Sequence, residues 1–328
     1  MQIFMGLLFH MGHIRLPRIN DYWRRDILFN FSFRRFMSRD RFLLILRNLC
    51  FSSPGNISQN SIIRHTKPII DFFNNLMATL VTPGRNLTID ETLVLWRGRL
   101  SIKQHIKGKR HKFGIKLYVL ADSKGTCQKI IMYTGAADPA VGGSGHTDKV
   151  VKSLMEKYFD QGYSLYMDNF YNSVGLAEYL LARKTYCTGT LRARRLRNPP
   201  HIKARVARGS CLYKFNRRGV CVANFKDKRT VLSISTQYSG SLVETSNRRG
   251  NVVRKPEMVV HYNRNMKGVD FKDQLLSYYT CYPKTMRWYK KIVVHIFQVM
   301  VLNAFLTYKI NNLSATFYSF RIDIVRRL

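Results

Sequence analysis

The stretch YSLYMDNFYNSVGLAEYLLAR, residues 163–183, decides how this chain is read. Tyr163, Leu165 and Met167 alternate with Ser164, Tyr166 and Asp168, the side-chain period of a strand that ends on a carboxylate. After a polar turn the pattern becomes helical from Ser173 to Arg183. Strand, acid and helix in that order put Asp168 where sites form in an α/β sheet. Taken alone, the same residue reads better as the turn before the helix.

Working outward, a helix is expected over Asp148–Phe159 before this stretch and a strand over Tyr186–Leu191 after it. Earlier still, Asn86–Asp90, FGIKLYVLA (Phe113–Ala121) and KIIMY (Lys129–Tyr133) read as strands. Asp122-Ser123-Lys124-Gly125 joins the last two as a hairpin turn. Three strands followed by helix-strand-helix-strand predict a mixed α/β fold built around one sheet. The first eighty or so residues read as helical. Met1–Ile14 is a helix in progress, and Asp21–Asn30 mixes charge with Tyr22, Trp23, Ile27, Leu28 and Phe29. Ser38 caps a helix with Phe42, Leu43, Leu46 and Leu49 on one face. A loop over Ser52–Ser61 leads to the amphipathic run Ile69–Leu80, which stops at Pro83-Gly84.

Between Thr190 and Lys255 there are 17 Lys and Arg against only Asp227 and Glu244, a net of +15. The runs SCLYKF, VCVANF and TVLSIS make this a basic, β-rich insertion. Helix is expected again from Asp270, through Trp288 to Ile310, with a break at Cys281-Tyr282-Pro283. The domain organisation expected is a helical region at 1–84, the first part of an α/β core at 85–191, the insertion at 192–256 and the C-terminal helical part of the core at 257–328.

Lys and Arg total 55 and Asp and Glu 19, a formal charge of +36 on 328 residues. Such an excess favours a polyanionic partner, since each neutralised phosphate releases condensed counterions. Aromatic residues at 12% and long apolar segments exclude a merely disordered basic tail. The six cysteines form no Cys-x-x-Cys pair, so neither a zinc ribbon nor a secreted disulfide framework is expected. They read as reduced thiols of an intracellular protein. The apolar run Ile292–Leu306 carries His295, Gln298 and Asn303 and reads as too short to span a bilayer, so no membrane segment is expected.

In so basic a chain, a few acids stand apart. Asp90 in TIDET ends an expected strand, and adjacent Glu91 is an alternative ligand. In GVDFKD, Asp270 suits a helix cap and Asp273 the first turn, yet residues three apart share a helix face and can aim at one metal pair. Two Mg²⁺ ions about 4 Å apart need several hard oxygen ligands, which short, stiff Asp side chains supply. Taken together, Asp90, Asp168, Asp270 and Asp273 point to metal-assisted chemistry on a phosphodiester backbone.

The segments IDETLVLWRGRL, KFGIKLYVLAD, YMDNFYNSVGLAEYLL, GTLRARR, MKGVDFKDQLLSYY and TMRWYKKIVVHIFQVMVLNAFLTYK resemble the piggyBac family of DDE transposases, from about the first residue to the last. The likeness is nearest to the piggyBac-element-derived proteins of the type-4 group. It implies an RNase H-like core split by an insertion, with catalytic and metal-binding Asp90, Asp168 and Asp270, Asp273 as a further acid, and two Mg²⁺ or Mn²⁺ ions. It also implies cut-and-paste transposition of double-stranded DNA: hydrolysis at a transposon end, hairpin formation by the freed 3′-hydroxyl, hairpin opening and joining to a TTAA target. A homodimer in the nucleus is expected. Members usually continue into a cysteine-rich zinc-binding tail that recognises the element ends. This sequence stops at Arg326-Arg327-Leu328 without those cysteines, so no zinc is expected here. A DNA-binding protein that keeps the scaffold without cleavage is the alternative, and a dead fragment of a decayed element is a third reading.

Phosphate contacts are expected from Arg97, Arg99, Lys107, Lys109, Arg110 and Lys112, just past Asp90, and from Arg192, Arg194, Arg195 and Arg197 after the second acid. Arg287 and Trp288 are candidates to stack on a flipped base or hairpin end, although a Trp on an amphipathic helix also suits a core. His146 has no second histidine beside it and stays outside the expected site.

Overall fold

The computed structural model describes residues 1–29, 31, 33–52, 63–106, 112–138, 140–247, 249–281 and 287–328. It begins with helices α1 (Gln2–His10), α2 (Phe33–Phe36), α3 (Arg39–Asn48) and α4 (Lys67–Leu80). There follow β1 (Asn86–Leu95), β2 (Gln104–His105), β3 (Phe113–Asp122), β4 (Cys127–Met132), α5 (His146–Met155), β5 (Ser164–Met167), α6 (Val174–Ala182) and β6 (Tyr186–Thr190). The basic segment supplies β7 (Cys211–Phe215), β8 (Cys221–Lys226), β9 (Thr230–Ser235), β10 (Leu242–Ser246) and β11 (Val252–Pro256). Helices α7 (Glu257–Asn265), α8 (Gly268–Tyr278), α9 (Trp288–Asn311) and α10 (Phe317–Arg327) complete the chain. Two compact units emerge: Met1–Leu76 with Leu93–Lys116 and Lys272–Leu328, and Met77–Thr92 with Leu117–Phe271.

The second unit is built on a mixed sheet in the order β4-β3-β1-β5-β6-β9-β8-β7. β5 runs parallel to both β1 and β6, which is why all four of its residues are buried. Leu165 and Met167 enter a core shared with Leu87, Ile89, Leu154 and Leu180, and each such side chain contributes about 1.5–3 kcal/mol on burial. On the other face, Ser164 donates to Gln237 Oε1 at 2.8 Å. Ser173 caps α6 by accepting from Leu176 N at 3.1 Å.

The basic segment does not stand apart from this sheet. β9 pairs antiparallel with β6, and β8 and β7 continue outward from it, so β6 has no exposed edge. Thr188 and Ser235 hydroxyls, 2.8 Å apart, join β6 to β9 inside the sheet. β10 and β11 form a separate hairpin. Helix resumes at Glu257, earlier than Asp270. Asp270, expected as a cap, lies in the first turn of α8, and Asp273 lies beyond it.

In the first unit, Phe4, Leu8, Phe33, Phe42, Cys281 and Val294 share a core flanked by Ile324 and Val325. Ser38 caps α3 as expected, accepting from Arg41 N at 3.3 Å. Residues 19–29, expected as helix, form only the 3₁₀ turns Ile19–Trp23 and Ile27–Phe29. The Asp26 carboxylate accepts from Leu28 N at 3.0 Å, a local bond that competes with helical pairing. β2 pairs with the first residues of β3. The apolar run 292–306, read as too short to cross a bilayer, sits in a 24-residue helix that is long and apolar enough to do so. That helix is a core element: Ile292, Val293, Val294, Ile296, Val299 and Leu302 are buried, as are His295, Gln298 and Asn303.

Candidate active site

Register brings the first two acids together. Ile89 of β1 lies opposite Met167 of the parallel β5, so the next residue along each strand is an aspartate, Asp90 and Asp168. Both are half-buried. Asp90 Oδ1 accepts from Glu91 N at 2.8 Å, and Asp168 Oδ1 accepts from Phe170 N at 2.8 Å. Burial raises the Asp168 carboxyl above its usual range, the Phe170 amide opposes the rise, and the Asp90 charge adds to it.

Asn172 holds the end of β5 in place. Its buried amide donates to Met167 O at 2.8 Å, Asp168 O at 3.2 Å and Thr190 O at 3.0 Å, tying the ends of β5 and β6. The approach requires Gly189, where a Cβ would come within 1.9 Å of Met167 O and 2.2 Å of the Asn172 amide.

Two tyrosines report the combined field of the acids. The Tyr171 hydroxyl is buried without a hydrogen-bond partner among the described residues, and its pKa is driven up by burial, then by Glu91, Asp90, Tyr118 and Asp168. Tyr262 of α7 is pushed up to about 12, mainly by burial, with Asp168, Asp90 and Asp270 adding their charges. Asp270 therefore acts on the same tyrosine as the strand acids. Its helix is seated by Gly268, where a Cβ would meet Asp122 O at 2.1 Å and Thr88 Oγ1 at 3.0 Å. The sequence signal for Tyr171 was its place in the Asp168 motif; nothing local distinguishes Tyr262.

The expected arginine cluster divides. Arg192 Nε donates to Asn169 Oδ1 at 3.2 Å and its guanidinium lies 5.3 Å from the Phe170 ring centre. Arg195 donates to Phe170 O, so both brace the loop carrying Asp168. Arg194 is exposed. Arg197 turns away to ion-pair with Glu178 of α6 at 2.8 Å. His146 hydrogen-bonds Tyr118 Oη at 2.6 Å and contacts Val141 O, a structural role.

The remaining candidates belong to the first unit. Asp273 pairs with the fully buried Lys272 at 2.8 Å. Arg97, Arg99 and Lys112 are exposed. Arg287, before α9, donates to Arg47 O at 3.2 Å and Tyr289 Oη at 3.1 Å. Trp288 is half-buried and meets the Tyr289 ring edge-on. Lys107, Lys109 and Arg110 lie outside the described residues.

A family model described as Transposase IS4 matches residues 1–305. The chain belongs to this transposase family, and to its piggyBac type. It is 25% identical over 331 residues to the human (Homo sapiens) PiggyBac transposable element-derived protein 3, covering 93% of this chain and 54% of that protein. It is equally similar to the human Chimeric ERCC6-PGBD3 protein, of which it covers 30%. The chain thus spans about half the length of one curated relative and under a third of the other. A piggyBac transposase solved by cryo-EM as a synaptic complex with hairpin DNA superposes with a TM-score of 0.87 at 26% identity, over 99% of this chain and 69% of that one. The mixed sheet and its helices are the expected RNase H-like core.

Transposases of this family generally use divalent metal ions. Here the donor chemistry fits at Asp90 and Asp168, two hard carboxylates whose mutual repulsion a cation would relieve. Among the described residues, however, no three His, Cys, Asp or Glu side chains are gathered closely enough to hold an ion. Asp270 contributes its charge at Tyr262 without joining such a group.

Proposed function

We propose that the chain is a DNA strand transferase of the cut-and-paste type, with Asp90, Asp168 and Asp270 as its catalytic acids and Asp273 supporting them. The observation that carries this reading is the register of β1 on β5, which sets two acids side by side in a chain of charge +36. Mg²⁺ or Mn²⁺, probed as two ions, would supply activation of the attacking oxygen and stabilisation of the leaving one. Asp90 and Asp168 would hold them, with Asp270 joining from α8. The chain's own groups do the rest. Asn172 fixes the Asp168 backbone, Arg192 and Arg195 brace its loop, and Arg194 offers a free cation to the phosphate strand.

In this reading the substrate is double-stranded DNA at transposon ends, and water and then the freed 3′-hydroxyl attack phosphodiester bonds to give hairpin ends for joining at TTAA. Arg97, Arg99, Lys112, Arg287 and Trp288 are further contacts to DNA. The working form is a homodimer in the nucleus, with residues 1–84 serving DNA binding and dimerisation. A second reading is binding without cleavage, which a charge of +36 would serve by itself. Nicking of a TTAA-flanked end substrate with Mg²⁺ or Mn²⁺ decides between them. Wild type should nick, and Asp168→Asn should lower the rate on the order of 10⁴-fold, as for a member of a concerted catalytic set. Tight DNA binding without metal-dependent nicking would leave the binding-only reading standing.

A further inference from the structure

A cavity of about 380 Å³ opens in the second unit between α6, the loop after β6 and the β7–β8 hairpin, on residues that none of the catalytic groups touch. That volume lies within the range of small-molecule sites. Its walls are apolar, with Pro199 and Pro200 on the loop and Phe215 on β7, a residue 56% exposed. An exposed aromatic at the mouth of a proline-lined cavity offers a flat face to a flat ligand.

The polar side of the cavity is prearranged. Glu178, only 9% exposed, accepts from Arg197 at 2.8 Å and Arg218 at 3.0 Å through one oxygen and from Asn216 at 2.9 Å through the other. The buried carboxylate is thereby satisfied. It also fixes two guanidinium groups that remain 58% and 71% exposed. Two arginines on one carboxylate leave a net positive charge, to which exposed Lys214 adds. Arg197 holds a φ of 65°, a left-handed conformation that costs a non-glycine residue on the order of 1–3 kcal/mol, so the loop is strained into this arrangement. His201 Nε2 donates to Val222 O at 2.9 Å, which fixes the ring at the edge of the cavity.

We propose that this cavity receives one unpaired nucleotide: the base against Phe215 and the prolines, the phosphate on Arg197, Arg218 and Lys214. The chemistry is that of an aromatic base carrying a phosphate, whether from a free nucleotide or from a base turned out of a DNA strand. The inference rests on DNA as the partner, and the duplex arm of the test keeps the two apart.

The test uses the full chain and fluorescence anisotropy. The probes are a labelled oligo(dT), a blunt duplex of equal length and the same duplex with one unpaired 2-aminopurine, with dTMP as competitor. Phe215→Ala should weaken binding of oligo(dT) and of the unpaired-base duplex by about 5-fold or more, following the value of a stacked base. It should leave the blunt duplex unchanged, and Phe215→Tyr should restore the loss. Quenching of 2-aminopurine by wild type should disappear in Phe215→Ala. Competition by dTMP at low concentration identifies a free-nucleotide site, and its failure beside intact quenching identifies a strand-borne base. Equal loss on all three DNAs, or unchanged quenching in Phe215→Ala, would overturn the proposal while leaving duplex binding intact. Absence of binding to every DNA would remove both it and the DNA-transferase reading.

Discussion

Each unit holds ionisable groups that burial and a neighbouring charge disfavour, and the two settle them differently. In the second unit burial, then Asp168, Asp90 and Asp270, raise the pKa of Tyr262, and burial, then Asp90, raises Asp168. In the first, Arg321 is 1% exposed beside His13. Its guanidinium is placed 5.7 Å from the Phe9 ring, 5.2 Å from Tyr279 and 5.5 Å from Phe317, and one nitrogen donates to Phe9 O at 3.2 Å. Aromatic faces and a carbonyl are a closed, structural solution for a cation. Asp90 and Asp168 are half-buried and Asp270 is exposed, so this side of the contrast meets solvent where Arg321 does not.

The largest effect expected on this contrast concerns Arg321. Arg321→Ala should cost about 2–5 kcal/mol in urea unfolding, through the lost packing of a large buried side chain. Arg321→Met, similar in volume and uncharged, should restore most of it, since the desolvated charge itself is a liability. If Met is as damaging as Ala, the guanidinium bonds matter more than its volume.

A smaller effect appears in the pH profile, with opposite signs in the two units. Burial, then Arg321 and His10, lower His13 to about 4 from 6.5. Between those values the unfolded chain holds more protons, so stability is complete above 6.5 and falls as pH drops to about 4. His13→Gln should flatten that acid limb. Asp168 is raised, so just above pH 3.8 the folded chain holds more protons and stability falls as pH rises. Asp168→Asn should therefore stabilise the metal-free chain at pH 7. Urea midpoints at pH 4.5, 5.5 and 7 read both, and parallel profiles for all three proteins would remove the contrast.

The smallest effect concerns the arginines beside the acids. Arg194→Gln should reduce the slope of log affinity against log salt by about 1, whereas Arg192→Gln, whose charge already braces the Asp168 loop, should change it less. Equal changes would mean that bracing does not withhold a charge from DNA.

Legibility in the sequence followed the range of the interaction. Ser38 and Ser173 head their helices because a cap is satisfied within three residues. The strand ending at Met167 was visible in its alternation, and so was the acid after it. Residues 19–29 misled because a helix-like composition does not reveal that Asp26 will bind its own backbone. The basic segment read as an insertion, yet β9 found its partner in β6, a pairing that no local pattern encodes. Among the arginines, Arg195 and Arg197 look alike in the sequence; one braces the Asp168 loop and the other clamps Glu178.

The sequence by itself determined the alternation of strands and helices, the positive charge and the acids set among the hydrophobic strands, because periodicity, composition and capping are local properties. Only the tertiary structure decided that Ile89 lies opposite Met167, so that Asp90 meets Asp168, and that α7 brings Tyr262 into the field of all three acids. It also decided that Glu178 gathers Arg197 and Arg218 beside Phe215. Strand register and helix docking join residues far apart in the chain, and the partner of a charge is set by what packing places within a few ångströms of it.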